Sequence, residues 1–467
     1  MKETVINVTE VLRDLPDFQK FCSVSELSTL AETIRRECPE ADVHIAGTSL
    51  DGLPIHHLRF GSGRVKAFFA GWPHPNEPIG GLTVFGLLSL LKQGKRQLLD
   101  ADVEWHIVPC IDPDGATLNE GWSQQPFSIE SFLRNCYRQE PCDQVERSFP
   151  IHHKRLHFDR PSKEARLLQE LLATIRPDFF YSLHNARMGA VSFFLTHDID
   201  KRYYRQLEQL AQRYRVPIEQ ASSPLLGGHA QYASGIWELF SARKYYDHLE
   251  KIMDHPEEGL HGAGGCSWEY LEEINSDALT FVMELPYLWH PSSVSTRETS
   301  QHLRHFMLKN DAENKFLITV ILEEWEKVKS DVDSNSPFYR KILNSIVTVK
   351  HKLLEGLPSW ESGTSDLLSN PSYNRTMTEA DLFRACMNRF YVLCNSHEIV
   401  RLLKQSKPTP AVTQARRRLE AIYDQALAEI AKYIDFDAFK VIDHDALARI
   451  QLGGGLVVLN SVLETNV

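Results

Sequence analysis

Between residues 25 and 290, short apolar runs alternate with amphipathic helical stretches, and this alternation limits the chain to a sheet flanked by helices. Residues 25–36 place Leu27, Leu30 and Ile34 at helical spacing. Strand-like runs follow at 42–46, Pro54–Phe60 and Val65–Ala70, punctuated by the turn signals Asp51-Gly52 and Gly61-Ser62-Gly63. A helix over 80–91, a buried strand over 103–109, a helix over 165–175 and a strand over 178–183 continue the pattern. The expected fold is α/β, with a mixed, largely parallel sheet flanked by helices.

Two regions depart from the alternation. From about Cys110 to Pro161 periodicity is weak and turn residues abound, as in Asp112-Pro113-Asp114-Gly115 and Asn119-Glu120-Gly121. A loop of this length in a compact domain is usually functional or disordered, and Arg134, Arg138 and Arg147 with interleaved aromatics favour function. After about Pro291, the stretches 297–329, 337–355, 377–405 and 410–433 are rich in Leu, Glu, Lys and Arg at helical spacing. The 467 residues exceed the ~250–300 that one core supports. Two domains are therefore expected, an α/β domain over 1–296 and a C-terminal helical domain over 297–467, the latter packing beside the site or forming a homo-oligomer interface.

Composition excludes some functions. A net charge of -11 leaves no basic excess for phosphate binding, so no nucleic-acid partner is expected. No uninterrupted apolar run approaches the ~20 residues that span a bilayer, so no membrane partner is expected either. The N-terminus lacks the apolar block and cleavage site of a secretory signal, and the 8 cysteines are irregularly spaced. Reduced thiols and a cytoplasmic location are the expectation.

Chemistry concentrates at strand ends. His74 and Glu77, in Gly71-Trp72-Pro73-His74-Pro75-Asn76-Glu77-Pro78, follow the strand Val65–Ala70, and ligands of open α/β sheets bind beyond the carboxyl ends of strands. In a tight turn both side chains reach one ion; the bland alternative is that Glu77 caps the next helix. His184 closes the strand ending Phe179-Phe180-Tyr181-Ser182-Leu183, where a lone histidine is ordinarily a satisfied core residue. Two strand-end histidines and a carboxylate make up the donor set of a hydrolytic zinc site. Glu284 ends the apolar run Leu279-Thr280-Phe281-Val282-Met283, where burial would raise its pKa toward that of a general base; pairing with an arginine is the alternative.

The order of these pieces resembles the zinc carboxypeptidase family, M14, over roughly residues 25–290. Ala46-Gly47-Thr48-Ser49 through Ile55 resembles its first hairpin, and Asp112-Pro113-Asp114-Gly115 its Asn-Pro-Asp-Gly turn. Gln144-Val145-Glu146-Arg147-Ser148-Phe149-Pro150 is similar to its Leu-Asn-Arg-Asn-Phe-Pro stretch, and Phe158-Asp159-Arg160-Pro161 to the opening of its next helix. Gly264-Gly265, Trp268 and Glu284 resemble its pocket loop and catalytic strand.

The resemblance implies one Zn2+ per chain on His74, Glu77 and His184, with Glu284 as general base. Arg147 would grip a substrate carboxylate, and Arg134 would stabilise the oxyanion, with Arg138 as its rival. Glu146 stands where the family has Asn; it would either repel a carboxylate and attract an amine, or orient Arg147. His261 would stand in for the pocket tyrosine, and the pocket floor would fall on Ser267 or Glu269. The implied activity is hydrolysis of a peptide or amino-acid conjugate beside a free carboxylate. An amidohydrolase of small N-acyl amino acids and a non-catalytic binding protein are the rival readings.

Overall fold

The computed structural model describes residues 5–139, 141–219, 228–251, 253–260, 262–336, 339, 342 and 373–465. The chain forms two compact units, one of residues 1–126, 141–289 and 441–467, the other of 127–140 and 290–440.

The first unit is built on a nine-stranded sheet. In chain order its strands are β1 (Asp42–Thr48), β2 (Pro54–Phe60), β3 (Val65–Ala70), β4 (Val103–Val108), β7 (Phe179–Ser182), β8 (Ser192–Leu195), β9 (Gln231–Ala233), β10 (Ile236–Glu238) and β11 (Leu279–Glu284). The intervening β5 (Ile151–His153) and β6 (Leu156–Phe158) form a separate small hairpin. The strands lie in the order β1-β2-β4-β3-β7-β11-β8-β10-β9. Its centre is parallel, β4 pairing with β3, β3 with β7 and β7 with β11, while β2 and β8 run antiparallel to their central neighbours. The expected mixed, largely parallel sheet is what the chain forms.

Central strands are apolar at nearly every position because both faces are covered. On one face Phe68, Ala70, Val108 and Phe180 pack against Ala165, Leu168, Leu172 and Ile175 of the helix Lys163–Ile175 and Leu271 of the helix Ser267–Ile274. The other face meets the C-terminal helix His444–Thr465, whose Gly454 and Gly455 lie against Met283, Tyr181 and Phe69.

That helix corrects the expected domain boundary. The expected helical domain over 297–467 ends too late, because residues 441–467 return to the first unit, and 127–140 leave it for the second. The helix is also apolar on all sides. Over its most apolar 18 residues the mean hydropathy is 1.5, which would suit a membrane span by length and composition, yet 89% of that window is buried inside the protein. A helix without a polar face needs such a core location.

The second unit holds the helices Ile129–Asn135, Leu303–Val328, Glu379–Gln405 and Pro410–Ala431. The helix expected over 337–355 lies almost wholly outside the described residues. The stretch after Cys110, expected as a loop, breaks into short helices instead, beginning with Pro113–Thr117, where Asp112 caps by accepting from Gly115 N at 3.0 Å.

Candidate metal centre and active site

Beyond β3 the chain turns sharply. Trp72 adopts a left-handed φ of 52° and its indole Nε1 donates to Pro75 O at 2.9 Å, which holds the turn in place. Glu77 N donates to His74 O at 3.0 Å, closing the turn that carries both side chains. The helix Ile79–Lys92 then starts with no side-chain cap from Pro78. Glu77 does not cap it. Asn185 Oδ1 accepts from Ile79 N at 3.3 Å in that role, and the Glu77 carboxylate turns to His184 Nδ1 at 3.1 Å and Asn185 N at 3.2 Å.

The register of the sheet brings the other groups alongside. Ala70 pairs with Ser182, and Ser182 with Val282, so three adjacent parallel strands end level with one another. His184 lies two residues beyond Ser182, and Glu284 two beyond Val282. His74, Glu77 and His184 are 4%, 1% and 4% exposed, and one ligand atom from each lies within 4.8 Å of the others. The rings of His74 and His184 meet edge-on at 4.7 Å. Two imidazoles and a carboxylate so placed fit a zinc ion and leave room for a further ligand. Burial lowers the pKa of His184, but the Glu77 hydrogen bond and the charges of Glu77, Glu284 and Glu146 outweigh it, and the net direction is up. Glu284, half-buried at the end of β11, is thus electrostatically part of the cluster.

The arginines and Glu146 take different places. Arg147 lies in the first unit with its guanidinium 4.9 Å above the Phe240 ring. Its Nε is buried without a hydrogen-bond partner, and among the described residues its side chain forms no ion pair. Glu146, expected to face the substrate or to orient Arg147, does neither. It is 0% exposed, and its carboxylate accepts from Ser182 Oγ at 2.7 Å and from Ser267 Oγ. Arg134 and Arg138 fall in the second unit. Arg134 pairs there with Glu130 at 3.0 Å and Asp424 at 3.4 Å, its helix packing on Glu379–Gln405 within that unit. His261 lies outside the described residues. Of the two pocket-floor positions, Ser267 is the partner of Glu146, and Glu269 closes the capping box of its helix while accepting from Ser241 Oγ at 2.7 Å.

Three contributing residues escaped the sequence reading. Ser182 shares the strand face of His184 by the two-residue period, a signal that could have revealed it. Asn185 gave no comparable sign, and Ser267 was expected on the pocket floor, not as a partner of Glu146. Gln451 interrupts the apolar run of the last helix; its Nε2 donates to His184 O at 2.5 Å and its Oε1 accepts from Thr83 at 2.8 Å.

The family model described as zinc carboxypeptidase, Peptidase M14, matches residues 27–285, more than half of the chain. No curated protein matches. Among solved structures, carboxypeptidase A from Helicoverpa armigera is 14% identical, with 60% of this chain and 69% of that one covered at a TM-score of 0.38. A metallo-carboxypeptidase from Burkholderia cenocepacia is 15% identical, with 57% and 60% covered at 0.33.

Proposed function

The chain belongs to the zinc carboxypeptidase family, Peptidase M14, and from that premise we propose that it hydrolyses an amide bond beside a carboxylate-bearing residue of a peptide or amino-acid conjugate. The observation that carries this reading is the convergence of His74, Glu77 and His184 beyond neighbouring parallel strands, with Glu284 one strand away. Zinc held there would supply Lewis acidity, lowering the pKa of a water toward ~7 and polarising a carbonyl.

The rest of the chemistry belongs to the chain. Glu284 takes the proton of the attacking water and returns it to the leaving amine. Its place at a strand end, half-buried, holds it in reach while excluding bulk solvent from one side. Arg147 orients the substrate. A guanidinium whose Nε is buried and unpartnered among the described residues gains most from a ligand that accepts its hydrogen bonds, and a carboxylate does so bidentately. Stacking on Phe240 keeps it in position. Arg134, already engaged by Glu130 and Asp424, takes no part in this reading.

Zinc analysis and substrate screening of the full chain test the proposal together. The wild type should carry about one zinc, and His74→Ala and His184→Ala should empty the site. Against peptides with free carboxyl termini and N-acyl amino acids, the wild type should cleave at least one class. Glu284→Gln should keep zinc and lose roughly 100-fold or more in kcat. Full zinc occupancy in both histidine variants, or near-normal turnover in Glu284→Gln, would overturn the assignment.

A further inference from the structure

Glu146 is a carboxylate sealed from solvent, and such a group is retained only where it is fully hydrogen-bonded. Both of its oxygens are engaged: Oε1 accepts from Ser182 Oγ at 2.7 Å and Oε2 from Ser267 Oγ. Ser182 Oγ also lies 3.1 Å from His184 Nε2. All four side chains are buried.

The direction of these bonds follows from proton counting. Ser182 Oγ donates its single hydroxyl proton to Glu146 Oε1. The Ser182 oxygen is then left to accept, and His184 Nε2 must donate its N–H to it. A neutral imidazole that carries its proton on Nε2 presents a lone pair at Nδ1. Nδ1 is the atom 3.1 Å from Glu77 Oε2. A cation must join two such acceptors: a proton on Nδ1 in the empty site, or a metal held by both when one is bound.

We propose that Glu146, acting through Ser182, is a positioning residue that fixes the Nε2–H tautomer and ring orientation of His184 and so sets the zinc affinity of the site. This rests on the metal reading given above. It assigns the carboxylate at position 146 to the metal centre and not to substrate selection, since the side chain is fully buried on Ser182 and Ser267. Partners of this kind tune a ligand's basicity and commonly change affinity 10- to 100-fold.

A bland alternative is that Glu146 merely braces three elements, the 3-10 turn Val145–Arg147, β7 and the helix Ser267–Ile274. The two differ in what they move. Zinc affinity of the full chain would be measured by competition with a chromophoric chelator, at a temperature where every variant is folded by circular dichroism. Glu146→Gln, which keeps the shape and loses the charge, should raise the zinc Kd about 10-fold or more. Ser182→Ala, a milder change should Glu146→Gln fold poorly, should do the same. Combining them should add little, because one chain of bonds is cut twice. Ser267→Ala leaves the path to His184 intact and should stay within about threefold of wild type on the same scale. Glu146→Gln and Ser182→Ala that lower the melting temperature but bind zinc within twofold of wild type would overturn the inference and leave a brace. A wild-type chain that takes up no zinc would instead overturn the metal reading, and this inference with it.

Discussion

A buried ionisable group is decided by what stands opposite it, and the first unit holds contrasting cases. Glu146 meets two hydroxyls and stays in the interior. His57 meets another histidine: its Nε2 lies 3.1 Å from His106 Nδ1 with the rings stacked, and Nδ1 is buried without a partner. Burial, then the charges of His106, His44 and Arg59, push the His57 pKa down from 6.5 to about 3. The unfolded chain therefore binds a proton between about pH 6.5 and 3 that the native chain refuses. This contribution is complete above pH 6.5 and is lost as the pH falls through that window, by at most about 1.4 kcal/mol per unit. His57→Gln should flatten the decline of the urea midpoint between pH 7 and pH 4 relative to wild type. An unchanged slope would place the acid sensitivity elsewhere. The same dependence on opposing groups governs what the sequence could disclose. His74, Glu77, His184 and Glu284 were legible because each follows an apolar strand, and strand ends in such sheets collect at one edge. The inward turn of Glu146 was not, because it depends on Ser182 and Ser267, which are distant in sequence. Nor could position alone foretell that Arg134 would pair with Asp424.

Among the elements, the last helix is the most demanding in fit. Its Gly453-Gly454-Gly455 run would be a poor helix interior in water, costing up to about 1 kcal/mol per glycine relative to alanine. Contact explains it. A Cβ on Gly454 would lie 2.1 Å from Met283 Cε, and one on Gly455 2.5 Å from Tyr181 Cε1. The Tyr181 ring cannot easily recede, since its hydroxyl donates to Gln451 O at 3.0 Å and its far side packs on Phe281 at 4.9 Å. Overpacking a core costs about 1–3 kcal/mol, more than the helical gain from alanine. Gly455→Ala should therefore lower the melting temperature and shift Tyr181, which also disturbs the strand below His184. Gly121→Ala, in a helix with open space at that position, should be neutral or mildly stabilising. Equal melting temperatures for the two variants would contradict the packing argument. The sequence made strands and most helices readable through their periods, including Glu379–Gln405 and Pro410–Ala431. It could not reveal where a helix apolar on every side would dock, because such a helix has no moment to point.

At the scale of the whole molecule, the two units are interleaved along the chain, and a cut at residue 296 falls in the wrong place for both. It would remove residues 441–467 from the first unit. Those residues include Leu447, Ile450, Leu452, Leu456 and Leu459, all essentially buried. At about 1.5–3 kcal/mol per side chain their burial contributes on the order of 10 kcal/mol, comparable to the ~5–15 kcal/mol net stability of an ordinary domain. The cut also removes Gln451, which holds the backbone of His184 and the side chain of Thr83. Asn460 goes with it, and with it the clamp on the N-terminal segment, where Oδ1 accepts from Ile6 N at 2.8 Å and Nδ2 donates to Ile6 O at 3.0 Å. A 1–296 fragment should thus lose both fold and zinc uptake together, rather than losing an accessory function alone. Adding back a peptide of residues 441–467 would be a weak remedy, because a free segment must order itself and displace aggregation of the bared sheet face. The measurement is a thermal melt followed by circular dichroism, with zinc titration of the same samples. The full chain should melt cooperatively and bind zinc, and the fragment should do neither. A fragment that melts cooperatively and holds one zinc would mean that the last helix is an ornament on a self-sufficient sheet, and that the contacts of Gln451 and Asn460 contribute little to the site.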